Sequence, residues 1–402
     1  MAINQLAVLD EVGLFHVPVA AIRGKEVVST DGRIYIDFCQ TSYLSFEFDP
    51  LLNERGCAWT RTWGAVPGWS RMEANAALYD AFEARLGRLL HARRVLTLPT
   101  ITITNFSLIP GIAQKGLIVA DKQVHTVVWE ACRLARDHGA TLRSFRHQDL
   151  ADLERVLVEH ADLHPKLIAV DGVYSISTEL APMAELQALC ERHGAFLYVD
   201  DAHGFGILGQ DPATENPYGL TGNGCVAHGG GDYRRTFYVS GFAKAFCAAT
   251  AFVTIPDEYH ENVQAFAMSY LFSNPSTPHT LGMCDAALDL NESRGEAARA
   301  EIRGLVRYFV EGLRAEGLRV ANTLLQPVVF LEVGPLDDLI AVGQALAAGG
   351  VIPGYRAYPV VPAERCGLRF AITAGHTRAH LDRVLEILRA PACMARMLRA
   401  DA

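Results

Sequence analysis

Residues 196–209 read Phe-Leu-Tyr-Val-Asp-Asp-Ala-His-Gly-Phe-Gly-Ile-Leu-Gly. Phe196 to Val199 form a candidate buried strand that stops abruptly at two carboxylates and a histidine. Gly204, Gly206 and Gly209 then mark a loop, because glycine accepts backbone angles that other residues resist. Two adjacent acids at the carboxyl end of a strand are costly to desolvate unless a cation or ligand needs them. In open α/β sheets, ligands gather at that edge. Further on, Ser240-Gly-Phe-Ala-Lys244 sets a lysine among small and apolar residues, where solvation offers no reason for one.

Each feature alone also fits a plainer role. Two acids at a strand end serve as a helix cap or as metal ligands, and a lone lysine usually lies at the surface. In this order they match what pyridoxal phosphate chemistry requires. Asp200 would hold the pyridine nitrogen protonated, so that the ring accepts electrons, and Lys244 would form the Schiff base.

Outward from this stretch, apolar strands alternate with amphipathic helices. Strands are expected over 94–98, 117–120, 140–145, 167–171, 196–200, 236–239 and 250–255, with helices over 101–113, 125–137, 149–160 and 182–193. About seven such strands predict an α/β protein with a mostly parallel sheet covered on both faces. Val27-Val28, the turn Asp31-Gly32 and Ile34 to Phe38 predict a hairpin over 26–38. Leu78, Phe82, Leu86 and Leu89-Leu90 predict a helix over 72–91. From about 285 a long charged helix (285–316), strands at 318–334 and 366–373, and helices at 336–349 and 377–390 describe a smaller α/β domain. The expected division is an N-terminal segment and hairpin (1–55), a large cofactor-binding domain (56–285) and a small C-terminal domain (286–402).

The bulk numbers exclude several classes. The 402 residues are long for one domain, half are hydrophobic, and the formal charge of −9 leaves no electrostatic footprint for nucleic acid. No apolar run reaches membrane-spanning length, and the N-terminus lacks a basic region followed by a hydrophobic one. Nine cysteines stand singly, with no C-x-x-C pair, which speaks against a disulfide framework and against zinc. Thiols in a reducing cytoplasm are the expectation, with no metal.

Several segments agree in order and spacing with one family: Asp171-Gly-Val-Tyr-Ser175, Ala181-Pro-Met-Ala-Glu-Leu186, Val199-Asp-Asp-Ala-His-Gly204, Ala243-Lys244, Tyr270-Leu-Phe-Ser-Asn274 and Leu368-Arg-Phe-Ala-Ile-Thr-Ala-Gly-His376. Over about residues 30–390 the chain resembles the α-oxoamine synthases, which have the pyridoxal phosphate-dependent transferase fold called fold-type I. The resemblance implies pyridoxal 5'-phosphate as cofactor, with Asp200 on the pyridinium nitrogen, His203 beside O3′, Lys244 as the Schiff-base lysine and His125 stacked on the ring. It puts Ser175 near O3′, with Asp171 in the same cofactor-binding segment. Arg369 would grip the amino-acid carboxylate, a bidentate task that suits a planar guanidinium. Ser273 and Asn274 fall in the segment that reaches the partner subunit's phosphate.

The departures concern the surroundings. The family's Ser-Gly-aromatic phosphate turn is replaced by Pro99-Thr100-Ile101, where the amides of Thr100 and Ile101 at a helix N-terminus are expected to take over. Thr41 stands where relatives carry a substrate-contacting asparagine. The hydroxyl residue three before the lysine is Gly241, with Ser240 one place further back. A glycine-rich stretch has become Trp63-Gly-Ala-Val-Pro-Gly-Trp-Ser-Arg71. Trp59, Trp63, Trp69, Phe46 and Phe48 are candidates for an acyl channel or, equally, for the core of a dimer interface. Arg61 and Arg71 are candidates for a CoA or carrier-protein phosphate.

The resemblance implies a homodimeric acyltransferase with active sites at the interface. It would condense a small α-amino acid with an acyl thioester, of CoA or of an acyl carrier protein, to an α-aminoketone, usually with loss of CO2. An aminotransferase or a β-eliminating lyase on the same fold would keep Asp200, Lys244 and Arg369. A cofactor-binding regulator or a degenerate dimer partner is the alternative without catalysis.

Overall fold

The computed structural model describes residues 4–320, 322 and 325–398. They fall into a large unit, Phe46–Ser175 with Glu179–Glu296, and a small unit, Met1–Ser45 and Ala297–Ala402 with the short insert Ile176–Thr178. The boundaries thus stand at 45/46 and 296/297, where the sequence suggested 55/56 and 285/286, and the N-terminal segment belongs with the C-terminal one.

In chain order the small unit opens with α1 (Gln5–Glu11) and strands β1 (Val19–Arg23), β2 (Glu26–Ser29) and β3 (Ile34–Asp37). The expected hairpin is β2 with β3, paired antiparallel. Strand β1 was not anticipated; it is exposed along its length, so no apolar alternation announces it.

The large unit begins with α2 (Pro50–Trp63), capped by Asp49 with Pro50 in the first turn. The sequence pattern missed this helix because it buries only Leu52 and Gly56. Helix α3 (Ala77–Leu90) begins five residues later than predicted and buries the stripe Leu78, Phe82, Leu86 and Leu90. Then follow β4 (Val95–Leu98), α4 (Ile101–Ala113), β5 (Leu117–Asp121), α5 (Thr126–Asp137), β6 (Thr141–Phe145), α6 (Leu150–Glu159), β7 (Lys166–Asp171), α7 (Met183–His193), β8 (Ala195–Asp200), the short α8 (Cys225–His228), β9 (Thr236–Gly241) and β10 (Ala251–Thr254). All seven expected strands join one sheet in the order β4-β10-β9-β8-β7-β5-β6. Only β10 runs against its neighbours β4 and β9. Every residue of β4, β5 and β7 to β10 is buried, the continuous apolar run expected of strands covered on both faces. On one face, Leu108, Ile109 and Ile112 of α4 share a core with Ile118, Ala169, Tyr198, Val239 and Val253 of the sheet. The short helices α9 (Val263–Phe266) and α10 (Met268–Leu271) lead to α11 (Pro278–Leu290).

The long helix predicted over 285–316 is two helices. Helix α11 starts at Pro278, behind the Thr277 cap, and a π turn over Asn291–Gly295 leads into α12 (Glu296–Ala315). The small unit continues with β11 (Val328–Gly334), α13 (Leu336–Ala348), β12 (Val351–Ile352), β13 (Gly354–Arg356), β14 (Cys366–Ala371), α14 (Arg378–Leu388) and α15 (Pro391–Met394). The strand expected over 318–334 is formed only by its second half; residues 321, 323 and 324 lie outside the described ones. The small unit holds two sheets, β1-β2-β3-β12 and β11-β14-β13.

Candidate active site

Strand alternation separates the two acids of the opening motif. Successive side chains of a strand point to opposite faces, and Asp200 and Asp201 follow this past the end of β8. Asp200 lines a cavity of about 100 Å³ at the carboxyl edge of the sheet, together with Ile101, Thr102, His125, Val127, Asp171, Val173, Ser175, Ala202, His203 and Lys244. Asp201 turns away from it and is fully buried: its Oδ2 accepts from the Cys225 N–H at 2.9 Å and the Tyr238 hydroxyl at 2.8 Å. Added Cβ atoms on Gly172 and Gly204 would lie 2.5 and 2.2 Å from its carboxylate, so those glycines make room for it. Asp201 is thus the anchor of the loop after β8 and not a second acid in the cavity.

Burial raises the Asp201 carboxyl to about 6. Its pKa is therefore higher folded than unfolded, so the folded chain binds the extra proton between about pH 4 and 6. Its contribution favours the folded state at the acid end and is lost as the pH rises through 6. The shift amounts to about 3 kcal/mol over that window. Asp201→Asn is expected to flatten the parent's loss of stability between pH 4 and 6.5, as read from denaturant midpoints; parallel pH profiles for parent and variant would contradict it.

The other lining residues are placed by helix starts and strand ends. Asp171 ends β7 directly opposite Asp200 in register. Both its oxygens accept from the His125 backbone N–H, at 3.1 Å each. Burial and the neighbouring carboxylate of Asp200 push Asp171 well above the usual carboxylate range, against the pull of Lys244. His125 caps α5, its Nδ1 accepting from the Val127 N–H at 3.3 Å, so the helix-start role and the cavity wall are one placement. In the neutral ring this leaves the proton on Nε2.

Thr100 caps α4, accepting from the Ile103 N–H. The first amides of that helix, those of Ile101 and Thr102, have no partner within the helix. Two helix N-termini therefore meet at one cavity, an arrangement suited to an anion.

Lys244 is half-buried. Its loop is anchored by the rings of Phe205, Phe242 and Phe246, whose centroids lie 5.0–5.4 Å apart. Gly206 lies against the same loop: with φ +85° and an added Cβ 2.5 Å from Ala245, only glycine fits there. A carboxylate, an imidazole, a lysine and paired helix N-termini form a donor set that fits pyridoxal phosphate.

Other expected site residues lie elsewhere. Ser240 is fully buried and its hydroxyl donates to the Asp201 carbonyl at 2.8 Å, so it is engaged within the fold. Thr100 and Ile101 stand together at the start of α4, but only Ile101 lines the cavity. Ser273 and Asn274 follow α10, with the Ser273 hydroxyl bonded to the Asn274 carbonyl. Arg71, read as a phosphate candidate, is 5 % exposed and paired with Glu83, so its guanidinium is engaged within the fold. Arg61 is exposed at the end of α2.

In the small unit, Arg369 on β14 and Arg356 on β13 line a cavity of about 400 Å³ with Leu14, Phe15, Phe38 and Tyr355. Arg369 Nε and Nη2 are buried with no hydrogen-bond partner among the described residues, which suits a bound carboxylate. Burial and the charge of Arg369 push Arg356 down to about 10. Thr41 is not part of that wall, which Gln40 joins instead. His376, in the last shared segment, is stacked on Phe38 with centroids 4.5 Å apart and pushed down to about 3 by burial. It joins the turn at Thr373 to the Asp37 carbonyl as a neutral ring.

The sequence reading missed three residues. Arg356 sits in a short strand without a recognisable pattern. Asn105 and Tyr198 are fully buried polar residues beside Asp200. Asn105 is one helical turn past Ile101, and an amide inside so apolar a helix was the available signal.

The class I and II aminotransferase model matches residues 74–388. The 8-amino-7-oxononanoate synthase of Methylobacillus flagellatus is 32% identical over 368 residues, covering 90% of this chain and 88% of that protein. That of Burkholderia thailandensis is 32% identical over 407 residues, covering 96% and 98%. Among solved structures, serine palmitoyltransferase from S. paucimobilis, with bound pyridoxal phosphate, superimposes with a TM-score of 0.84 at 24% identity, over 98% of this chain and 95% of that one. With the seven-stranded sheet and the cavity at its carboxyl edge, these matches make the chain a member of the class I and II aminotransferase family, in its α-oxoamine synthase branch, with the fold-type I architecture.

Proposed function

We propose that this protein is a pyridoxal phosphate-dependent acyltransferase that condenses a small α-amino acid with an acyl thioester, with loss of CO2, to give an α-aminoketone. One observation carries the reading: Lys244, Asp200, His203 and His125 converge on a single cavity between two helix N-termini. Relatives that bear the name 8-amino-7-oxononanoate synthase favour this chemistry over transamination or β-elimination.

When bound, pyridoxal phosphate supplies an electron sink for the carbanion at the amino acid's α-carbon. Asp200 would hold the proton on the cofactor's ring nitrogen, the α4 amides of Ile101 and Thr102 beside the Thr100 cap would hold its phosphate, His125 would stack on its ring, and Ser175 and His203 would meet its hydroxyl. The amine of Lys244 takes the α-proton at Nζ. The ring N–H of His203 donates to the oxygen of the thioester carbonyl as negative charge develops there. Arg369 holds the amino-acid carboxylate, and its two orphaned nitrogens match a bidentate partner.

We further infer a homodimer. Large apolar side chains stand exposed on the large unit in two segments, Phe48, Trp63, Val66, Trp69 and Met72, and Met268 and Phe272. These segments touch where the Ser70 hydroxyl meets the Tyr270 carbonyl. Such a surface calls for a partner, and in this reading Ser273 and Asn274 serve the partner's phosphate. Trp63 and Trp69 then belong to the interface and not to an acyl channel. Nine free cysteines accord with a reducing cytoplasm, and no helix among the described residues is long and apolar enough to cross a membrane.

The test is a screen of amino acids against acyl-CoA and acyl-carrier-protein thioesters, following thiol release and product mass. Thiol release that requires both substrates, with a product short of CO2, is the expected result. Accumulation of the pyridoxamine form with an amino acid alone would assign an aminotransferase instead.

A further inference from the structure

Asp200 is held by a directional chain of buried side chains that begins two residues before it. Tyr198 and Asp200 share one face of β8, the face covered by α4. The Tyr198 hydroxyl donates to Asn105 Oδ1 at 2.7 Å, and Asn105 Nδ2 donates to Asp200 Oδ2 at 2.8 Å. The remaining oxygen, Oδ1, accepts from the Ala202 N–H at 3.2 Å. Tyr198 and Asn105 are both 0 % exposed.

The amide can point only one way. A carboxylate accepts and does not donate, so the NH2 group of Asn105 must face Asp200 and its carbonyl must face the phenol. Burial and the Asp200 charge push the Tyr198 hydroxyl far above its ordinary range, which keeps it a donor. Packing explains neither polar group. A leucine and a phenylalanine would fill the same space without hydrogen bonds to satisfy, and buried polar chains are costly unless every member is paired. Here the chain ends on Asp200, a carboxylate that lines the cavity.

We propose that Asn105 and Tyr198 are positioning residues that aim the Asp200 carboxylate at the ring nitrogen of the cofactor and keep it ionised there. This rests on the reading of Asp200 as the partner of that nitrogen. A hydrogen bond donated to a carboxylate favours its charged form, so the chain holds the shared proton on nitrogen. Without Asn105, Asp200 Oδ2 loses its buried donor and the carboxylate gains a second orientation, away from the ring nitrogen. Tyr198 acts only through Asn105, by polarising its amide.

The experiment reconstitutes the full-length protein with pyridoxal phosphate labelled with 15N in the ring and reads the nitrogen chemical shift and the cofactor dissociation constant. Asp200→Asn is the reference and should move the shift to the unprotonated position. Asn105→Leu should place it between parent and reference and weaken cofactor binding about tenfold, as for a lost hydrogen bond to a charged group. Tyr198→Phe, which removes one oxygen from a packed ring, should act in the same direction by about threefold. It should have no further effect once Asn105 is leucine, because coupled residues are not additive. A parent-like shift and affinity in both Asn105→Leu and Tyr198→Phe, with Asp200→Asn displaced, would overturn the proposal and leave the role of Asp200 standing. An unmoved shift in Asp200→Asn would overturn both. Should Asn105→Leu not fold, Tyr198→Phe decides alone: a parent-like shift and affinity rejects the chain, an intermediate shift supports it.

Discussion

Lys244→Ala is expected to abolish turnover, by a factor on the order of 10²–10⁴ or more, since general acid–base help alone is worth that much and covalent attachment of the cofactor is lost as well. The chain has five lysines, at positions 25, 115, 122, 166 and 244. Two of the others are buried in structural bonds: Lys25 Nζ donates to Ser42 Oγ at 2.7 Å, and Lys166 Nζ donates to the Ala161 carbonyl at 2.9 Å. Lys115 and Lys122 are exposed. Only Lys244 lines the cavity with Asp200 and His203. Borohydride treatment of the holoenzyme should therefore fix the cofactor to the peptide that contains Lys244, and digestion with mass mapping reads this directly. A label on any other lysine would remove the cavity from its proposed role. Non-covalent cofactor retained by Lys244→Ala is compatible with the assignment, because the helix N-termini and Asp200 remain.

Arg71→Ala is expected to cost about 3–5 kcal/mol of stability, the usual consequence of breaking a buried ion pair and leaving one charge behind. The guanidinium meets Glu83 through two contacts, at 2.6 and 3.2 Å, and also reaches the Thr97 carbonyl at 3.3 Å and Asn75 at 2.8 Å. It lies over the rings of Tyr79 and Tyr270, 4.3 and 5.0 Å from their centroids. Glu83 would keep the Thr97 N–H and hydroxyl, each at 2.7 Å, yet its charge would lie unpaired at the start of β4. Replacing both partners with methionine should cost less than Arg71→Ala alone, because no uncompensated charge remains. Urea midpoints of the two variants check this. A single variant as stable as the parent would return Arg71 to the role of a ligand contact.

The cavity residues were legible where chemistry leaves a local mark. An apolar run ending in Asp200 and His203, and a lysine in an apolar segment, stand out because burying a charge has no reason but function or pairing. The strands β4, β5 and β7 to β10 were legible as buried, mostly apolar runs in a sheet covered on both faces. Elements with little burial, such as β1 and α2, left no periodic trace and stayed hidden.

What local pattern could not decide was the direction and company of each side chain. Asp200 and Asp201 are chemically identical in sequence, yet strand alternation sends one to the cavity and the other to the loop at Cys225 and Tyr238. Arg71 resembled a surface ligand contact until Glu83, twelve residues on, was found against it in the core. Ser240 became a loop tie through the Asp201 carbonyl, thirty-nine residues away in sequence. Residue types and their spacing thus determined the family, the fold class and the identity of the catalytic candidates. The tertiary structure decided which polar groups are satisfied within the fold and which remain for a ligand, because that depends on partners brought together only by packing.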